Sequence, residues 1–137
     1  MYSQLIADTE AGQRLFDEGR FEEAIPVFQG AWQLLPEPKD EWNAAIWLLA
    51  AIGDCHFLMQ DFVAARRVLL DAVAMPGGVG NPFLHLRLGE IALELGDEAR
   101  AADELIRAYA VGGPEAFQSE DPKYLRFLAS KAVLPDS

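Results

Sequence analysis

Small and apolar residues recur along the chain at the spacing that antiparallel helix hairpins require. Between Gly12 and Pro36, Gly12 sits one helical turn before Leu15 and Phe16, and Gly19 ends a first helix. Phe21 then precedes a second helix carrying Ala24, Phe28 and Ala31, which Pro36 stops. The pattern returns as Ile52-Gly53, His56, Phe62, Ala65, Leu69, Ala72 and Pro76, and again as Leu88-Gly89, Gly96, Ala101, Leu105, Ala108 and Pro114. Small residues such as Gly12 and Ala24 let two helix backbones approach, while Leu15 and Phe28 fill the groove between them. One hairpin cannot bury its apolar face alone, so hairpins of this kind stack.

The spacing predicts a first helix from about Ser3, its N-cap, to Glu18, and a second from Glu22 to Leu35 with acids in its first turn. Pro26 lies one turn in, where its missing N–H costs little. Gly12 to Gly53 is 41 residues and Gly53 to Gly89 is 36. The longer first interval falls in residues 37–43, and Asp40 is read as the cap of an extended third helix from about Glu41 to Met59. A fourth helix is expected from about Phe62 to Met75, followed by a turn-rich linker from Pro76 to Pro82. Helices over Pro82 to Leu95 and Glu98 to Val111 follow. Gly112-Gly113-Pro114 breaks the pattern before a helical turn around Glu115 to Gln118. Asp121 and Pro122 then have the residue types of a cap and first helical position. The final helix, Lys123 to Val133, carries Tyr124, Leu125, Phe127, Leu128 and Ala132, the apolar face of a terminal cap.

These positions resemble the tetratricopeptide repeat, in which Leu-Gly, a bulky residue, Gly, an aromatic, Ala, Phe, Ala and Pro recur about every 34 residues. The resemblance implies an all-α fold of three antiparallel helix pairs, stacked as a short right-handed solenoid with a C-terminal capping helix. It implies a single domain over 1–137, with repeats at about 3–36, 40–76 and 82–112 and a cap over 114–133.

Composition narrows the partners. With 51% hydrophobic residues the chain can bury an ordinary core. No apolar run approaches the roughly 18 residues of a membrane span, and the acidic start MYSQLIADTE lacks the basic region of a secretory signal. A cytoplasmic protein is expected. Cys55 is the single cysteine, which excludes an internal disulfide and suits a reducing compartment. The net charge of −11 argues against nucleic acid or anionic membrane as partner. The imbalance is concentrated: residues 1–61 hold 11 acids and 3 bases, residues 62–137 hold 11 acids and 8 bases.

Catalytic chemistry finds no foothold, and no catalytic residue, cofactor site or metal site is expected. His56 occupies the bulky slot between paired helices, and His85, beside Phe83, Leu84 and Leu86, reads as a surface or groove residue. Cys55 and His56 are adjacent and point to different helix faces, so metal-ligand spacing is missing. Gly77-Gly78-Val79-Gly80 follows a helix and lacks the Gly-Lys-Ser/Thr ending of a phosphate loop. Paired acids such as Glu22-Glu23 and Asp103-Glu104 read as solvated helix surface.

The repeat resemblance implies that the first helix of each pair lines a concave, partner-binding surface. Aligned on the three glycines, that surface takes Ile6, Thr9, Gln13, Phe16 and Asp17 from the first pair. It takes Trp47, Ala50, Asp54, Phe57 and Leu58 from the second, and Phe83, Leu86, Glu90, Leu93 and Glu94 from the third. Gln13, Phe16, Asp17, Trp47, Asp54, Phe57, Phe83, Leu86, Glu90 and Glu94 are the expected binding residues: aromatic anchors ringed by acids suit a protein with a basic surface. The competing reading makes Phe57 and Leu58 core and lets the terminal helix fill the groove. Related domains that clamp the C-terminal carboxylate of heat-shock chaperones use Lys, Asn and Arg. Of the corresponding Thr9, Gln13, Ala51, Phe83 and Arg87, only Arg87 fits, which argues against that function.

A narrower likeness lies in Asn81-Pro82-Phe83-Leu84-His85-Leu86-Arg87-Leu88-Gly89, Gly113-Pro114-Glu115-Ala116-Phe117 and Glu120-Asp121-Pro122-Lys123-Tyr124-Leu125-Arg126-Phe127-Leu128. These resemble small bacterial repeat proteins found beside polymorphic toxins, which implies an immunity protein that binds and blocks a toxin. The alternatives are a chaperone like the three-repeat class of type III secretion, which holds an extended segment, or a general adaptor. Monomer and weak dimer are both compatible with the sequence.

Overall fold

The computed structural model describes residues 2–134, all helical or connecting segments. The α-helices are α1 Tyr2–Asp17, α2 Phe21–Leu34, α3 Asn43–Leu58, α4 Phe62–Val73, α5 Pro82–Glu94, α6 Glu98–Gly112 and α7 Pro122–Lys131, with 3-10 turns at Lys39–Glu41 and Pro114–Phe117. Each of α1–α2, α3–α4 and α5–α6 is a packed pair, and α2 also packs on α3.

The three register glycines show why the pairs form. A Cβ on Gly12 would lie 2.5 Å from the Phe28 ring, one on Gly53 2.6 Å from Leu69, and one on Gly89 2.7 Å from Leu105. In every pair the facing residue comes sixteen positions after the glycine. Phe28, Leu69 and Leu105 are all fully enclosed, so each fills a groove that only a residue without a side chain leaves open. Ala24, Ala65 and Ala101, one turn earlier on the same helices, are also enclosed and keep the backbones close.

The hairpin turns share one construction. Gly19, Gln60 and Gly96, each seven positions after the register glycine, have φ of 76°, 64° and 85°. The residue after each closes a Schellman bond: Arg20 N–H to Leu15 O at 2.8 Å, Asp61 N–H to His56 O at 2.8 Å, and Asp97 N–H to Ala92 O at 2.8 Å. Asp61 and Asp97 then cap the next helix, accepting from the backbone N–H of Ala64 at 3.3 Å and Arg100 at 3.2 Å. Arg20 holds the corresponding place without a side-chain cap and is tied instead to Glu18 and Glu23.

Several expected boundaries move. Ser3 lies inside α1 and caps nothing, because the helix already includes Tyr2. The third helix is not extended to Glu41: Lys39–Glu41 forms a separate 3-10 turn, Asp40 caps no helix, and Trp42 is the residue before α3. The inserted residues serve the end of α2 instead. Lys39 Nζ donates to the carbonyls of Leu35 at 2.7 Å and Trp32 at 3.1 Å, and Trp42 Nε1 donates to Pro36 O at 3.0 Å. A cation there satisfies carbonyls that the helix end leaves unpaired. The fourth helix stops at Val73 and the last at Lys131, short of Met75 and Val133. Asp121 does cap α7, accepting from Lys123 N–H at 2.9 Å, with Pro122 as first residue.

The described residues group into two compact units, divided at Gly78–Val79 inside the expected linker. Unit 1 holds α1 to α4 around Phe28, Leu35, Leu48, Ile52 and the enclosed Cys55. Unit 2 holds α5 to α7 around Leu86, Leu105, Tyr109, Phe117 and Leu128. Among the described residues no helix is long and apolar enough to cross a membrane.

Candidate protein-binding face

In unit 1 the expected binding residues lie on α1 and α3. Gln13 Nε2 donates to Asp17 Oδ1 at 2.8 Å, which fixes both on the last turns of α1. Phe16 is half-buried and meets Phe21 edge-on at 5.1 Å. Trp47 stands edge-on to Phe28 at 5.8 Å yet remains 43% exposed, so its indole is braced by the core while one side faces water. Asp54 and Phe57 are half-buried about two and about three turns further on, Phe57 edge-on to Phe62 at 5.6 Å. Ile6 and Leu58, from the same register positions, are 44% and 43% exposed. Ile6, Trp47 and Leu58 thus leave substantial apolar surface in water, with Asp17 and Asp54 on the same two helices.

Unit 2 uses its equivalent residues differently. Phe83 is half-buried beneath the Arg87 guanidinium, 5.3 Å from ring to charge. Leu86 belongs to the unit 2 core, and Glu90 is completely enclosed. Arg87 Nη1 donates to Glu90 Oε1 at 2.7 Å and to Glu120 Oε1 at 2.6 Å. Glu94 Oε1 accepts from Tyr124 Oη at 2.9 Å and lies 2.6 Å from Lys123 Nζ. Leu86 and Glu90 are therefore not presented to a partner. Glu120, Lys123 and Tyr124, just before and at the start of α7, reach Arg87 and Glu94 on α5.

Titration follows from these contacts. Burial pushes the Glu90 carboxyl up to about 9; the Arg87 charge opposes that rise and Glu120 adds to it. Glu90 Oε2 is enclosed and accepts no hydrogen bond from the described residues, an arrangement that a protonated acid tolerates far better than a carboxylate. One guanidinium facing two carboxyl groups is balanced when Glu90 keeps its proton. Glu94 is shifted down, first by the Lys123 hydrogen bond. Burial pushes the Cys55 thiol up to about 12, with the Asp54 charge contributing, so this cysteine is a core residue without nucleophilic character.

His85 is not a surface or groove residue. It is 5% exposed, with Nδ1 3.2 Å from Glu104 Oε2 and Nε2 against the carbonyl of Val79. The paired acid Glu104, read as surface, is buried for the same reason. The sequence carried no sign of these ties, since Glu104 and Glu120 lie 19 and 33 residues from their partners. Among the described residues no cluster of His, Cys, Asp or Glu could hold a metal ion.

The sequence profile of the tetratricopeptide repeat matches residues 15–78. That match runs from the end of α1 through α4, so this part of the chain carries the tetratricopeptide repeat. No curated protein matches the sequence. Among solved structures, the type III secretion chaperone SycD of Yersinia enterocolitica, in complex with a peptide of the translocator YopD, is similar with a TM-score of 0.73 at 19% identity, over 93% of this chain and 92% of that one. PcrH from Pseudomonas aeruginosa gives 0.74 at 18% identity, over 95% and 92%. The second repeat domain of human RPAP3, in complex with an HSP70 peptide, gives 0.69 at 17% identity, over 94% and 95%. At these identities the likeness is one of fold.

Proposed function

We propose that this repeat protein holds an extended, basic segment of a partner protein on the α1/α3 face of unit 1, as a chaperone does. The observation that carries the reading is Trp47: a large aromatic braced by Phe28, exposed on one side, and accompanied by exposed Ile6 and Leu58. A braced aromatic beside open apolar surface is the anatomy of a binding hot spot, and the acids of residues 1–61 favour Lys and Arg on the incoming segment. Fold likeness to SycD and PcrH supports this reading, because one structure holds a peptide of the translocator YopD and the other the chaperone-binding region of PopD. The residues behind the immunity-protein likeness give it no further support. Asn81, His85, Arg87, Glu120 and Asp121 are engaged in capping and internal pairing.

The test is a tiled peptide array covering the products of the adjacent genes, probed with the wild type and with Trp47→Ala. Wild-type protein should bind peptides that place apolar residues beside Lys or Arg. Trp47→Ala should weaken them roughly 30-fold, the effect of losing a hot spot worth about 2 kcal/mol, while thermal unfolding verifies that it folds. A neighbour bound only as a folded domain, with Trp47→Ala binding unchanged, would overturn the reading. It would favour the toxin inhibitor, for which the strong acidity of residues 1–61 is the supporting observation.

A further inference from the structure

The face of unit 1 turned away from its core carries a second surface, distinct from the α1/α3 face. On α4, Val63 and Leu70 are 53% and 39% exposed. Arg66 and Arg67 stand exposed between them and form no ion pair among the described residues. Val63, Arg67, Leu70 and Ala74 follow one another at steps of 4, 3 and 4, the seam that one helix presents to another.

The repeat provides an internal control. The positions of Val63, Arg67 and Leu70 relative to Gly53 are held by Glu22, Pro26 and Gln29 relative to Gly12, all exposed on α2. Equivalent positions of successive repeats point to the same side. At these equivalent positions α2 thus presents an acidic, polar face and α4 an apolar, basic one. Gly30 adds a second oddity on α2. A Cβ there would meet nothing closer than Asp8 Oδ2 at 4.0 Å, yet glycine within a helix is about 1 kcal/mol worse than alanine. Nothing among the described residues requires this gap, and a glycine leaves room for another backbone to come close.

We propose that this outer face is a homodimer interface, in which α4 of one copy packs against α2 of a second copy and the reverse contact repeats about a two-fold axis. Arg66 and Arg67 then meet the acids Glu22 and Glu23, Val63 and Leu70 leave water, and Gly30 admits the neighbouring helix. The contact is self-complementary, as a closed two-fold interface must be.

Sedimentation of the full chain at about 10–100 μM tests this, at 0.15 M salt where screening beyond about 8 Å suppresses the general repulsion between acidic copies. The wild type should be a dimer. Arg66→Glu with Arg67→Glu should be monomeric, and so should Glu22→Arg with Glu23→Arg, each confirmed folded by its thermal transition. An equimolar mixture of the two variants should dimerise again, because both contacts of the mixed pair regain opposite charges. Trp47→Ala should leave the dimer intact, which separates this surface from the partner-binding face. A wild type that is monomeric throughout this range, or a dimer that both charge reversals leave unchanged, would overturn the proposal.

Discussion

Replacing Glu90 with Gln isolates the buried proton of unit 2. In the folded chain the Glu90 carboxyl is raised from 4.5 to about 9 by burial, so between those values the folded state holds a proton that the unfolded state releases. The stability this proton brings is full below about 4.5 and is lost progressively as pH rises towards 9. The slope approaches 1.4 kcal/mol per pH unit. From pH 6 to pH 8 the wild type should lose about 2.7 kcal/mol from this group, or about 10 °C in Tm for a chain of this size. Glu90→Gln keeps an acceptor facing Arg87 Nη1 and places an uncharged amide where Oε2 accepts no hydrogen bond from the described residues. The variant should match the wild type within about 1 kcal/mol at pH 6 and exceed it by about 2–3 kcal/mol at pH 8. Thermal unfolding followed by circular dichroism at pH 6, 7 and 8 gives the difference curve, in which titrations common to both proteins cancel. Parallel curves would refute the argument and show Glu90 ionised against Arg87. So would a variant already several kcal/mol weaker at pH 6.

The hairpin construction supplies two further expectations. Gln60 sits at φ 64° where the other turns have glycine, so Gln60→Gly should stabilise the chain by about 0.5–1 kcal/mol in urea unfolding by removing left-handed strain; a destabilised variant would contradict that account. Gly12→Ala would drive a methyl to 2.5 Å from the enclosed Phe28 ring and should lose roughly 1–3 kcal/mol despite alanine's better helix propensity, measured by the same unfolding curve.

The repeat pattern was legible because it rests on local spacing. A glycine, a bulky residue sixteen places later and an intervening turn recur three times, and each has one stereochemical meaning. Boundaries were less legible where tertiary contact competes with propensity. Asp40 has the residue type of a cap, but Lys39 is held by the end of α2, and that fixes residues 39–41 as a separate turn. The register reads Trp47, Leu86 and Glu90 alike as open to a partner; Trp47 is open in unit 1, whereas Leu86 and Glu90 are buried in unit 2. Register alone places Glu90 on the same side as Asp54. Only the fold brings Glu120, 33 residues beyond Arg87, into contact with that guanidinium.

Cys55 has a practical corollary. It is the chain's single thiol, wholly enclosed beside Ile52 and Leu48 in unit 1, with its proton held to about 12. An alkylating reagent can reach it only when that unit opens. Its labelling rate is therefore a built-in clock for the opening of α1 to α4, readable by mass spectrometry in the intact chain.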